Sequence, residues 1–431
     1  MASQAGPPNG PNEPPHDPAQ DPRNQPPQPG YGTPPMPHGQ QLPGDGPGFW
    51  SPQQPPPWTG QPQQPYPQQP QYPPPYPQQQ PPPYPQQQPP YGQYPPPYGS
   101  VPYGMRPPEV RQVPAPPGTP FHQLARNARH QWWRPLLGTL MLAALAFVLI
   151  GAVSVVWIIV HGAITGDLPE TQGDSIFPSD LENLASTLVM LGILTPAVAF
   201  TAWVVQRRPP WSVASVLNRI RWKWLLFACL PALGYLALSS LLGMLVESVF
   251  PTADPIQADD GAWVGFAAFI GPALLLLLLV PFQSAAEEFV FRGWLVQTIG
   301  AYAPRSDARN AVTRVLWRVL RTPWPALVVT SALFVSVHGY TGWAMADIFL
   351  FAMTVGWLTV RTGGIEAAIA LHVLNNLLAF MLPAATGQLD GWADQGGAPW
   401  TLLVTDIPCL AFFAVSVVWL AKRRRVATVS E

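Results

Sequence analysis

Glu287 and Glu288 stand side by side in the string Ala-Glu-Glu-Phe-Val-Phe-Arg-Gly, with Arg292 four residues after Glu288. His338 follows Phe334 by four residues, and Asn376 follows His372 by four. On a helix each of these pairs shares a face. All lie in strongly apolar surroundings, where a charged side chain costs roughly 2.5 to 3.5 kcal/mol on insertion scales, so each is a candidate functional residue. A carboxylate beside an imidazole can hold and deprotonate a water. An imidazole and a carboxamide on another helix can donate hydrogen bonds to a developing oxyanion. Together these groups suit hydrolysis of a peptide bond inside a membrane. Glu287, His338 and His372 could instead hold a zinc-type ion with one position left open for water, and spacing alone leaves both chemistries open.

Taken singly, each motif is weak. A Glu-Arg pair four residues apart commonly braces a helix, and a lone histidine in a membrane commonly makes an interhelical hydrogen bond. The conjunction carries the argument, because the three stripes fall in order on the fourth, fifth and seventh apolar segments with little other intramembrane charge. Asp347 and Asp406 are the main exceptions, and both lie near expected membrane boundaries.

Apolar runs such as 135 to 160 and 263 to 280 reach or approach the roughly 20 residues that cross a bilayer, which rules out a soluble enzyme. Spans are expected at about 135 to 160, 184 to 205, 224 to 246, 263 to 300, 324 to 340, 343 to 360, 365 to 382 and 400 to 420. The interval 263 to 300 is long enough for two, and Pro281 invites a division. Charge opposes it. Arg207, Arg208, Arg219, Arg221 and Lys223 alternate along the chain with acidic loops carrying Asp167, Glu170, Asp174, Asp180 and Glu182, then Glu247, Asp254, Asp259 and Asp260. Arg305, Arg309, Arg314, Arg318 and Arg321 stay on the basic side only if 263 to 300 is one kinked helix. Arg361 and the run Lys422 to Arg425 then fall inside, and Asp390 and Asp394 outside. The expectation is an all-α polytopic membrane protein of about eight transmembrane helices in the cell membrane, with both termini cytoplasmic. Counted along ideal helices, His338 lies about 21 Å from Trp324 and His372 about 10 Å from Ile365, a mismatch in depth that tilt or a deeper fifth span would reconcile.

The first 120 residues hold 43 of the 60 prolines and only eight charged side chains, none of them lysine. Without a periodic apolar face this stretch is expected to be a disordered cytoplasmic tail, partly polyproline II. It repeats Pro-Pro-Pro-Tyr-Pro-Gln-Gln-Gln at 73 to 80 and 81 to 88. The tail reads first as a solvated extension. The alternative is recruitment of a partner that grips proline-rich segments in an aromatic groove. The expected organisation is a Pro/Gln/Tyr-rich tail at 1–118, a basic juxtamembrane segment at 119–134, an eight-helix domain at 135–421 and a basic C-terminus at 422–431. Cys229 and Cys409 sit far apart in apolar runs, so neither a disulfide framework nor a cysteine metal site is indicated. Nothing supports nucleic-acid binding.

In order along the chain, Glu287-Glu288-x-x-x-Arg292, Phe334-x-x-x-His338 and His372-x-x-x-Asn376 resemble the CPBP (Abi) family, the bacterial branch of the CAAX-processing intramembrane endopeptidases. The stretch from Arg361 to Asn376 is similar to the family's third motif region throughout. The core resemblance spans about 260 to 380, and the proline-rich tail lies outside it. The resemblance implies a membrane endopeptidase acting on membrane protein or peptide substrates. In it Glu287 and His338 would activate water, His372 and Asn376 would form the oxyanion site, and Glu288 and Arg292 would hold the helix. The family was named as metalloproteases. No cofactor is favoured here, zinc being the alternative. Competing readings are a catalytically silent scaffold or immunity protein and a proton-coupled transporter. The spans show no inverted halves, which counts against transport.

Overall fold

From Trp133 to Thr165 the chain is apolar almost without interruption and forms a 33-residue helix, α1, which Gly166 ends in a left-handed conformation at φ 85°. The computed structural model describes residues 111–169, 175–251, 262–389 and 396–431. The proline-rich tail up to residue 110 lies outside them, as do Glu170, Asp174, Asp254, Asp259, Asp260, Asp390 and Asp394. Helices α2 (Asp180–Gly192) and α3 (Leu194–Val204) make one span, interrupted at Ile193, and α2 is capped by Ser179, whose hydroxyl accepts from the Glu182 N–H. Pro196 accounts for the interruption, because it has no N–H for the carbonyl four residues back. Helix α4 runs from Trp222 to Val249.

The interval read as one kinked helix is one 35-residue element, Phe266–Gly300. It comprises α5 (Phe266–Glu288), a π-helical turn at Phe289–Leu295 and α6 (Val296–Gly300). A π turn inserts a residue into the helical register, and such turns concentrate at functional sites. Gly293 within it faces the Val213 carbonyl so closely that a Cβ would stand 2.7 Å from the oxygen. At the end of α6, a Cβ on Gly300 would overlap the His122 carbonyl. Glycine is what lets both backbones meet.

The fifth expected span differs from the sequence reading. Helix α8 covers only Trp324–Ser336, 13 residues, about 20 Å of helix against a hydrocarbon core of about 30 Å. The chain leaves the helix before His338, and Thr341–Gly342 pairs in parallel with Gly397–Ala398. Gly342 takes a positive φ of 57° that a helix cannot accommodate. Before α8 lies α7 (Ala311–Leu320), capped by Asn310 and Thr313 and bent 57° from it. Helices α9 (Trp343–Thr362), α10 (Glu366–Thr386) and α11 (Trp400–Arg423) follow. Among the described residues seven helices are long and apolar enough to cross a membrane, and eight spans result if α7 and α8 count as one.

Helix α10 is central, packing on α4, α5 and α9. One apolar cluster joins α4, α9, α10 and α11 through Tyr235, Phe351, Leu371 and Phe413. Another joins α2, α5 and α10 through Leu184, Leu188, Leu276, Val280 and Ala384. Outward, Phe147, Ile164, Leu230 and Leu278 are each at least 60% exposed, a surface suited to acyl chains and not to water. The protein is a multi-pass membrane protein.

Residues 111–118, assigned to the tail from composition, are tied to this body. Val113 N–H donates to the Arg207 carbonyl at 2.8 Å and Gly118 N–H to the Ser430 carbonyl at 2.8 Å, and Pro120 bridges Val429. The tail boundary therefore falls earlier than 118. Proline-rich composition reports the missing local periodicity, but it does not register backbone pairing with segments distant in sequence.

Candidate active site

The polar stripes meet. Glu287 and Glu288 end α5, Arg292 lies in the π turn, His338 sits two residues beyond α8, and His372 and Asn376 lie in α10. His338 and His372 both reach Glu287 although their expected depths differed, with His338 lying just past the end of α8 at Ser336. Glu287 Oε2 lies 3.6 Å from His372 Nε2 and 4.0 Å from His338 Nε2, and it makes no hydrogen bond of its own. Both Glu287 and Glu288 are buried.

Hydrogen bonding settles which ring nitrogens carry protons. His338 Nδ1 is 2.6 Å from the Phe334 carbonyl, and His372 Nδ1 is 2.7 Å from Glu288 Oε1. Carbonyl and carboxylate oxygens only accept, so both Nδ1 atoms donate, and Nε2 of each ring faces Glu287 Oε2. Glu288 has a second donor, Arg292 Nη1, at 2.9 Å. It is thus a bridge between the π turn and α10, more than the helix brace expected from spacing. The Arg292 guanidinium lies over the Phe334 ring at 4.2 Å, with Nη2 left without a partner. Rings close the site. Phe334 meets Phe291 edge-on at 5.0 Å, Tyr340 stacks on His338 at 5.9 Å, and Phe351 abuts His372 at 5.9 Å.

Two residues were not singled out in the sequence. Gln283, one turn before Glu287 and buried, donates from Nε2 to Glu287 Oε1 at 2.5 Å. Asn376 Nδ2 donates to Gln283 Oε1 and to Ser284 Oγ, both at 3.3 Å, and Ser284 donates to Gln283 Oε1 at 3.0 Å. Gln283 therefore pins one oxygen of Glu287 and leaves the other for chemistry, while linking it to Asn376. The available signal was position, since Gln283, Glu287 and the Glu288 stripe recur at helical spacing.

The donor set of Glu287, His338 and His372 has zinc chemistry, and each imidazole is anchored through Nδ1 as metal ligands commonly are. The spacing does not match. A tetrahedron of bonds near 2.0 to 2.1 Å has edges of about 3.3 Å, shorter than both oxygen-to-nitrogen distances here. Among the described residues no three His, Cys, Asp or Glu side chains are arranged to hold a metal ion.

Residues 269–378 match the family model described as type II CAAX prenyl endopeptidase Rce1-like. Every residue of the site falls inside that segment. Over 262 residues the chain is 23% identical to YyaK, an uncharacterized protein of Bacillus subtilis (strain 168), with 60% of this chain and 79% of that protein covered. No solved structure matches the chain.

Proposed function

We propose that this chain is an intramembrane endopeptidase, on the premise that its core belongs with the Rce1-like CAAX-type membrane proteases. The carrying observation is the convergence of Glu287 Oε2, His338 Nε2 and His372 Nε2, three polar groups from separate parts of the chain, within 4.0 Å of the free carboxylate oxygen. A water there donates one O–H to Glu287 and the other to His338, so its lone pair is free to attack a peptide carbonyl. Glu287 takes the water proton and returns it to the leaving amine. The oxyanion is received by Asn376, whose amide turns from Gln283 and Ser284, and by His372. His372 enters the reaction protonated on both nitrogens, with Glu288 as its counter-ion, and donates from Nε2 without giving up its proton. Substrates are membrane proteins or peptides. The orientation supported by the alternating charges puts both ends of the described chain, and the basic loops, on the cytoplasmic side of the cell membrane.

The test is cleavage of a membrane-peptide substrate by the full chain in liposomes. Glu287→Gln keeps the shape of the side chain and removes the base, so cleavage should fall by roughly 10² to 10⁴ while the thermal unfolding midpoint holds. Retention of most activity would refute the assignment, and solute uptake driven by a proton gradient would favour a transporter. A second measurement addresses metal chemistry. With water activated by Glu287 and His338 alone, strong chelators should leave the rate unchanged. Stoichiometric zinc in active protein, with activity lost on stripping and restored by zinc, would instead make Glu287, His338 and His372 the ligands.

A further inference from the structure

Away from this site, the described residues line a half-open cavity of about 920 Å³ where α4 begins and α11 ends. Its wall carries Arg219, Lys223 and Arg424 among Trp211, Trp222 and Trp224, and no Asp or Glu lines it. A fourth cation, Arg221, is already engaged, donating to Glu366 and to the Thr362 and Ala427 carbonyls. Among the described residues Arg219, Lys223 and Arg424 have no carboxylate partner, and Arg424 lies flat on the Phe227 ring at 3.8 Å.

Two further features favour an anion. Helix α4 starts at Trp222 with no acid in its first turn; the N–H of the preceding Arg221 donates to Glu366 Oε1 at 3.0 Å, and the positive end of the helix stands at the cavity wall. Trp224, only 5% exposed, leaves its indole N–H without an acceptor. From the cavity, α4 continues along an exposed apolar track of Trp222, Leu226 and Leu230. An anion-receiving pocket that opens onto an acyl-compatible helix face suits an amphiphile with a negative head.

We propose that this cavity binds the headgroup phosphate of an anionic phospholipid, whose acyl chains lie along α4. Basic pockets between membrane helices are suited to such headgroups, each nearby cation adding to the attraction. This site is independent of the peptidase reading.

The experiment is native mass spectrometry of the full chain released from mixed micelles holding equal amounts of phosphatidylglycerol and phosphatidylcholine. Wild type should retain phosphatidylglycerol about tenfold over phosphatidylcholine. The preference should vanish in Arg219→Gln/Lys223→Gln/Arg424→Gln and persist in Arg305→Gln/Arg309→Gln/Arg314→Gln, which removes the same charge elsewhere. Should the first triple variant fold poorly, Arg219→Gln and Lys223→Gln singly should each reduce the preference, both side chains being exposed. Equal retention of the two lipids, or equal loss of preference in both triple variants, would overturn the proposal. Displacement of the lipid by inorganic phosphate alone would assign the cavity to a free anion and overturn it as well.

Discussion

Glu287 has one oxygen held and one oxygen free, and that asymmetry depends on Gln283. A carboxylate free to rotate would present either oxygen to the water, and misplacement of a reacting group by a fraction of an ångström is costly in rate. Gln283→Leu should lower kcat about tenfold or more and leave KM near its wild-type value, because the lost contact orients the base and does not touch substrate. A rise in KM with kcat unchanged would assign Gln283 to substrate binding. The residues legible in the sequence were the ionisable ones and the neighbours, Phe334 and Asn376, spaced one helical turn from a histidine. Charge in an apolar run is expensive and therefore conspicuous, whereas Gln283 and Ser284 are neutral and pass as ordinary interhelical polar groups. The double duty of Glu288 was also hidden, since its partner His372 is 84 residues away.

At the scale of elements, the spans and the unity of 263 to 300 could be read from apolar length and alternating charge. The π turn could not, because hydrogen-bond register leaves no mark in composition. Nor could the early end of α8, where the apolar run continues to Val337 while backbone pairing of Thr341–Gly342 takes the chain elsewhere. The π turn is anchored by Trp294, which is fully buried and donates to Thr139 of α1 at 3.1 Å. Beyond it, α6 docks the short segment Phe121–Gln123 through the bare face of Gly300. Gly300→Ala should destabilise the protein by about 1 to 3 kcal/mol, since the obstructing atom is a backbone carbonyl that cannot swing aside. Thermal unfolding in detergent measures this, and an unchanged midpoint would mean that the juxtamembrane segment is not docked there.

At the scale of the whole molecule, and among the described residues, Arg219, Arg221, Lys223, Arg361, Lys422, Arg424 and Arg425 gather at one end of the bundle. There α4 and α10 start, α9 and α11 finish, and Arg221 and Glu366 are paired at 2.6 Å with Glu366 wholly buried. The juxtamembrane segment at 118–120 and the segment at 429–430 pair with each other. Helix α8 breaks the regularity of the bundle, because at 13 residues it falls short of a full crossing. Lipid beside it faces a hydrophobic mismatch, which a bilayer relieves by thinning. Hydrolysis consumes water, and a thinned annulus next to His338 shortens the path that water must travel from the bulk phase to Glu287. The surrounding lipid thus becomes a determinant of solvent supply, and peptide cleavage should slow as acyl chains lengthen in a series of phosphatidylcholine bilayers at fixed temperature and fluidity. A rate indifferent to bilayer thickness would mean that water arrives by another route.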